Sequence, residues 1–276
     1  MKIINLAKVE EGTVGYTLTT FPDGEHHIKF NEEFDRKDEY TVKCRIRNGN
    51  ELFVLCQVAD ILNREAVKWD LQIYYLMSMR MDRVITHQES FTLKVVADII
   101  NSFNCNSVGL YAAHSSRAFN LINNSYNLQG DVVEEYASNK KVICFPDHGA
   151  TARYKNHINN NNVIQMSKIR DLNNNGKIID IQFESLHINH YINTNETIYI
   201  VDDLCDAGGT FLGTYKKLKE RYPDNKIGII LSHLVNEVGY KNLTETFDEV
   251  IISNSYKDWP ALPENHKCKL QIINII

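Results

Sequence analysis

Short apolar runs alternate along the chain with longer stretches in which apolar residues recur every three or four positions. LFVLCQVA (52–59) predicts a buried strand, and REAVKWDLQIYYLMSMRM (64–81) begins at helical spacing and runs into a strand-like segment. FTLKVVADIINSF (91–103) predicts an amphipathic helix with Leu93, Val96, Ile99 and Ile100 on one stripe. SVGLYAA (107–113) follows as a strand and RAFNLIN (117–123) as a short helix. A second round starts with a strand at KVICFP (141–146), a helix from about Ala150, and strands at NVIQMS (162–167) and IYIV (198–201). GGTFLGTYKKLKERY (208–222) predicts a helix, and NKIGIILSHLV (225–235) and VIISNS (250–255) predict strands. Apolar strands separated by helices argue for an α/β protein with mostly parallel sheets flanked by helices. Two such rounds predict two tandem lobes, 1–135 and 136–276. The polar segment 168–197 breaks the scheme, and its NNNG (173–176) predicts a hairpin or flap. The asparagine runs at 159–162 and 173–175 predict exposed loops.

Composition narrows the field without naming a function. Among 276 residues, 43% are hydrophobic and 24% charged, and the net charge of -5 gives no broad basic surface for nucleic acid. No apolar run reaches the roughly 18 residues of a spanning helix, so no membrane partner is expected. The opening MKIINLAKVE has neither the apolar core nor the small-residue site of a secretory signal. Cysteines at 44, 56, 105, 144, 205 and 268 form no C-x-x-C pair, which predicts free thiols in a reducing, cytoplasmic compartment. Neither a Walker A pattern nor G-x-G-x-x-G occurs.

The chemistry concentrates at IYIVDDLCDAGGT (198–210). In open parallel sheets ligands bind at the carboxyl ends of strands, where Asp202 and Asp203 fall. Ionised carboxylates only accept hydrogen bonds, and vicinal sugar hydroxyls are suitable donors for a pair of them. Ala207, Gly208, Gly209 and Thr210 then lead into a helix whose backbone N–H groups, bare of side chains, can cradle a phosphate. Together with Asp206 this describes a ribose phosphate site. Taken alone, D-x-G-G-T is also explained by an aspartate capping a helix beside a glycine turn.

The full string resembles the ribose-phosphate-binding signature of the type I phosphoribosyltransferase fold. Over roughly residues 15–260 the chain resembles one family with two tandem lobes of that fold, the ribose-phosphate pyrophosphokinases. That resemblance implies transfer of a diphosphoryl group from ATP to the anomeric hydroxyl of ribose 5-phosphate. FPDGE (21–25) is similar to the family's adenine-contacting loop, which implies ATP contacts from Phe21, Asp23 and Glu25 into a neighbouring subunit, although P-D-G is also a plain turn. MSMRMD (77–82) implies Arg80 and Asp82 at the ATP site, and YAAHSS (111–116) implies His114 at Mg²⁺ and the ATP phosphates. FPDHGATAR (145–153) implies Asp147 at the metal and ribose, and SKIRD (167–171) implies Lys168 and Arg170 on a catalytic flap. On a strand these two cations, two positions apart, point to the same side and can close over the transferring group. Alone, K-x-R also describes a solvated basic loop. The resemblance further implies Mg²⁺ as cofactor and a homo-oligomer built from dimers, with a hexamer as one such form.

Four positions depart from the family pattern: Met81 stands for glutamine, Ala112 for aspartate, His148 for a small residue and Ala207 for threonine. Losing one hydroxyl to a phosphate oxygen costs about 1–3 kcal/mol. Met81, Ala112 and Ala207 together raise the possibility of an acceptor such as ADP-ribose, whose phosphodiester has less charge and more bulk. Two further readings stay open, a phosphoribosyltransferase and a non-catalytic regulatory homologue. Retention of Lys168, Arg170, His114, Asp147, Asp202 and Asp203 speaks against the last.

Overall fold

The computed structural model describes residues 1–8, 10–158, 162–171, 177–188 and 192–276, and the side chains of 170–171, 177–179 and 186–188 lie outside the description. The chain divides into two compact units, Met1–Gln129 with Ile276, and Gly130–Ile275.

The first unit runs β1 (Lys2–Asn5), β2 (Tyr16–Thr20), β3 (His26–Phe30), β4 (Glu39–Ile46), α1 (Gly49–Arg64), β5 (Lys68–Leu76), α2 (Thr92–Asn101), β6 (Val108–Leu110), α3 (Arg117–Leu121) and β7 (Ser125–Asn127). Its main sheet has the order β1-β4-β5-β6-β7, parallel throughout, while β2 and β3 form a separate antiparallel hairpin. One expectation fails here: LFVLCQVA (52–59) is not a strand but the middle of α1. Asn48 caps this helix by accepting from the Glu51 N–H at 3.1 Å, and Glu51 Oε2 accepts from the Arg47 N–H at 2.6 Å. The capping pair thus lies upstream of the apolar run that suggested a strand. Leu52, Leu55, Val58, Ala59 and Leu62 are its buried stripe. The segment 64–81 correspondingly holds only the last residue of α1, then β5, whose burial alternates along most of its length. The helix predicted over 91–103 forms as α2.

The second unit runs α4 (Val132–Ala137), β8 (Val142–Phe145), α5 (His148–Tyr154), β9 (Asn162–Asp171), β10 (Lys177–Ile188), β11 (Ile198–Cys205), α6 (Gly209–Arg221), β12 (Ile227–Leu234), α7 (Glu237–Thr246), β13 (Glu249–Ser253) and β14 (Lys269–Ile273). Its sheet has the order β10-β9-β8-β11-β12-β13-β14, with β10 alone antiparallel to its neighbour. That antiparallel β9–β10 pair is the hairpin expected within 168–197, and the sequence NNNG (173–176) lies outside the described residues. Side chains alternate across β11 into two cores: Ile198 and Ile200 pack with Ile229, Leu231 and Phe211, and Tyr199 and Val201 with Ile143, Ile230 and Tyr154. A strand buried on both faces has no polar face to show, so it appears in the sequence as an unbroken apolar run. All six cysteines are free thiols, and among the described residues no helix is long and apolar enough to cross a membrane.

Candidate active site

In the second unit the strand order reverses between β8 and β11. From β8 the chain passes through α5 to β9 on one side, and from β11 through α6 to β12 on the other. A crevice forms at the carboxyl ends of strands at such a switch point. Asp147 follows β8, Asp202 and Asp203 lie near the carboxyl end of β11, and 206–210 form the turn from β11 into α6.

Asp147 caps α5, with Oδ1 accepting from the Ala150 N–H at 2.9 Å, and its Oδ2 accepts from the Lys168 ammonium on β9. Burial is the largest single influence and would raise its pKa, but the Lys168 charge and hydrogen bond, the Ala150 N–H and the Arg153 charge together outweigh it and hold the carboxyl below the ordinary aspartate range. Arg170 lies two positions along β9, paired with Ile178, and its side chain lies outside the described residues. His148 sits beside Glu184, with Nε2 3.2 Å from the carboxylate.

Asp202 and Asp203 are both buried, and one nitrogen joins them. Arg153 NH1, on α5, donates to Asp202 Oδ1 at 3.0 Å and to Asp203 Oδ1 at 2.6 Å. Asp202 Oδ1 also accepts from the Asp203 N–H at 2.9 Å. Burial, then the neighbouring Asp203 and Asp147 charges, push Asp202 upward, while Arg153 pulls it back. FPDHGATAR ends in Arg153, yet nothing in the sequence marked that residue, because its partners lie on a strand almost fifty positions later.

The turn after β11 settles what Asp206 does. Gly208 is the N-cap of α6 at φ +90°, and no side chain caps that helix. A positive φ at this point favours glycine. Asp206 Oδ1 instead accepts from Asn236 Nδ2 at 2.9 Å, and Asn242 Nδ2 donates to the Ala207 carbonyl at 2.9 Å. The amino end of α6 is therefore uncapped by side chains, beside exposed Ala207 and Gly209 and half-buried Thr210. Such an end, with its partial positive charge, receives anions.

Behind the crevice lies Asp131, the cap of α4. It accepts from the Val133 N–H at 2.9 Å, from Ser232 Oγ, and from the Tyr154 hydroxyl at 3.4 Å. Burial raises its carboxyl to about 6. Between the ordinary value of 3.8 and about 6, the folded chain binds more protons than the unfolded chain. Stability from this group therefore falls as pH rises through that window, and its cost is complete above it. Asp131→Asn keeps an acceptor for the cap. It is expected to raise stability at pH 7.5 by about 2–3 kcal/mol and to flatten the dependence between roughly pH 4 and 7. Urea denaturation across that range tests this, and an unchanged midpoint at pH 7.5 would count against it.

In the first unit, FPDGE closes the β2–β3 hairpin. The Phe21 N–H donates to the Glu25 carbonyl at 2.8 Å, and Asp23 Oδ1 accepts from the Glu25 N–H at 3.1 Å. Asp23 thus braces the turn itself, while Phe21 stays 48% exposed. Arg80 is exposed in the turn after β5. Asp82 is only 2% exposed. Its Oδ1 accepts from Arg83 Nε at 2.9 Å and its carbonyl from Arg117 NH1 at 2.8 Å, so it anchors the loop rather than opening to solvent. His114 is half-buried in the loop after β6, two residues beyond Ala112, which holds φ 44°.

Among the described residues no three His, Cys, Asp or Glu side chains gather as a metal cage. Mg²⁺ usually binds through one or two carboxylates plus substrate phosphates. Asp147, with one carboxylate at the crevice, fits that kind of site.

No family model matches the chain. It is 28% identical over 247 residues to a ribose-phosphate pyrophosphokinase of Mycoplasma genitalium, covering 84% of this chain and 71% of that protein. It is 27% identical over 269 residues to the ribose-phosphate pyrophosphokinase of Mycoplasmopsis pulmonis, covering 93% and 81%. The phosphoribosylpyrophosphate synthetase of Mycobacterium smegmatis has the same fold, with a TM-score of 0.69 at 18% identity, over 95% of this chain and 86% of that one. Fold and strand-end chemistry together define an α/β protein of two phosphoribosyltransferase-type lobes. More narrowly, the chain is similar to the ribose-phosphate pyrophosphokinases as a divergent relative of them, and it is an enzyme of the diphosphotransferase type.

Proposed function

We propose that the protein transfers the β,γ-diphosphoryl group of ATP to the anomeric hydroxyl of ribose 5-phosphate, or of a 5-substituted relative such as ADP-ribose, with AMP leaving. The observation that carries this reading is the switch-point crevice, where two carboxylates, an uncapped helix start and the Lys168 ammonium meet within one unit. Sugar hydroxyls donate to Asp202 and Asp203, and the sugar's phosphate takes the backbone N–H groups of 207–210. The transferring group needs in-line placement and positive charge more than covalent help. Lys168 exchanges Asp147 for phosphoryl oxygens, and Arg170 supplies the second cation. ATP contacts fall to Phe21, Glu25, Arg80 and His114, with Asp23 and Asp82 shaping the loops that carry them. Mg²⁺, when bound, would offset charge on the phosphates; Asp147 is its candidate ligand in the second unit, and His114 is a candidate ligand in the first. The reading is completed by a cytoplasmic homo-oligomer built from dimers, with neither nucleic acid nor membrane as partner.

Ala207 favours the substituted acceptor, because the hydroxyl that would meet a terminal phosphate is missing from that position. Mass spectrometry of products from MgATP with ribose 5-phosphate and with ADP-ribose tests both parts. AMP and a sugar heavier by a diphosphoryl group are expected. Equal or better turnover of ribose 5-phosphate removes the ADP-ribose reading, and absence of AMP with either sugar removes the whole proposal. Consumption of the diphosphorylated sugar with a nucleobase would instead indicate a phosphoribosyltransferase.

A further inference from the structure

We infer that Arg153 is a positioning residue for the sugar acceptor, tying the Asp202 and Asp203 carboxylates into one ionised pair that recognises vicinal hydroxyls. This inference rests on the reading of 202–210 as the sugar phosphate site. Three observations support it.

Adjacent strand residues point to opposite faces, so Asp202 and Asp203 do not naturally aim at one ligand. A single Arg153 nitrogen nevertheless reaches Oδ1 of both. The guanidinium thereby sets the direction of each carboxylate and fixes their separation.

The surroundings are crowded with negative charge. Asp202, Asp203 and Asp147 all act on Arg153, and Asp131 faces Asp203 from behind. The Tyr154 ring lies 5.8 Å from the guanidinium carbon. Two neighbouring buried carboxylates repel each other, and without a cation one takes up a proton. A protonated carboxyl has an O–H where the sugar hydroxyl needs an acceptor. Burial and Asp203 already press Asp202 in that direction.

Arg153 also differs from Lys168 in placement. Its side chain is 18% exposed and it rides α5, the helix capped by Asp147, whereas Lys168 is carried on the β9–β10 hairpin. Its NH1 is engaged by both carboxylates, which puts its action on the pair.

The test compares wild type with Arg153→Met on ribose 5-phosphate and its 2-deoxy analogue, following AMP release from MgATP. In wild type the 2-deoxy sugar is expected to be the poorer acceptor. In R153M the KM for ribose 5-phosphate is expected to rise at least tenfold, the KM for ATP to change less than twofold, and the preference against the 2-deoxy sugar to collapse. Arg153→Lys, which restores a cation, is expected to recover part of the preference. Made in an Asp203→Asn background, R153M is expected to add little to the cost of D203N, because a neutralised pair no longer needs its cation. This second comparison also applies if R153M alone does not fold. Retained 2-deoxy discrimination in R153M, or fully additive costs with D203N, overturns the inference while leaving the proposed activity standing. Wild type that releases no AMP with any sugar overturns the activity, and the inference with it.

Discussion

Lys168→Ala is expected to lower turnover at least a hundredfold while ATP still binds within a few-fold of wild type. A hundredfold is about 2.7 kcal/mol of barrier, at the lower end of what one preorganised donor commonly supplies to a developing negative charge. The ammonium is already in the crevice, bonded to Asp147 and only 12% exposed, so reaction requires an exchange of partners rather than a long excursion. Alanine removes that charge but leaves the Asp147 cap on the Ala150 N–H, so α5 and Arg153 keep their places. ATP affinity holds because the nucleotide contacts are assigned to the first unit. Single-turnover rates and calorimetric titration with a non-hydrolysable ATP analogue separate the two effects. An undiminished rate would remove the flap from the mechanism, and a rate loss explained wholly by lost ATP affinity would recast Lys168 as a binding group.

What the sequence revealed and what it withheld follow from how each feature is encoded. Strands such as β11 and β12 are legible because burial on both faces leaves an apolar run ending in polar residues. The same rule misled at 52–59, where an apolar run belongs to a helix whose start is marked outside the run, at Asn48 and Glu51. Asp202–Thr210 is legible because its acceptors and its glycine turn are contiguous, so spacing alone carries the chemistry. Arg153, Asn236 and Asn242 act on that same turn from other elements, and no local pattern singles them out. Asp23 and Asp82 illustrate the opposite case: the motif drew attention to them, while their hydrogen bonds show that they build the loops.

Gly239→Ala is expected to weaken sugar phosphate binding at least tenfold and to destabilise the fold, although residue 239 is buried and distant in sequence from the turn. A Cβ at 239 would stand 1.9 Å from the Asp206 carbonyl oxygen and 3.2 Å from Leu234 Cδ1. The first contact is with backbone, so no rotamer relieves it, and either α7 or the 206–208 turn must move. Overpacking of this kind costs about 1–3 kcal/mol. The displacement strikes the phosphate nest directly, because α7 also holds it through Asn242 on the Ala207 carbonyl, and its cap Asn236 holds Asp206. A tenfold loss is about 1.4 kcal/mol, within what a shifted N–H group costs on a charged phosphate oxygen. Gly209→Ala supplies the contrast in stability, since its Cβ would meet nothing within 4 Å. Initial rates against sugar phosphate, with urea denaturation of both variants, give the answer. If G239A keeps the wild-type KM and midpoint, α7 is not what shapes the turn. If it loses stability but not affinity, the turn holds its form without the helix, and the anion nest is set by Gly208 and the start of α6 alone.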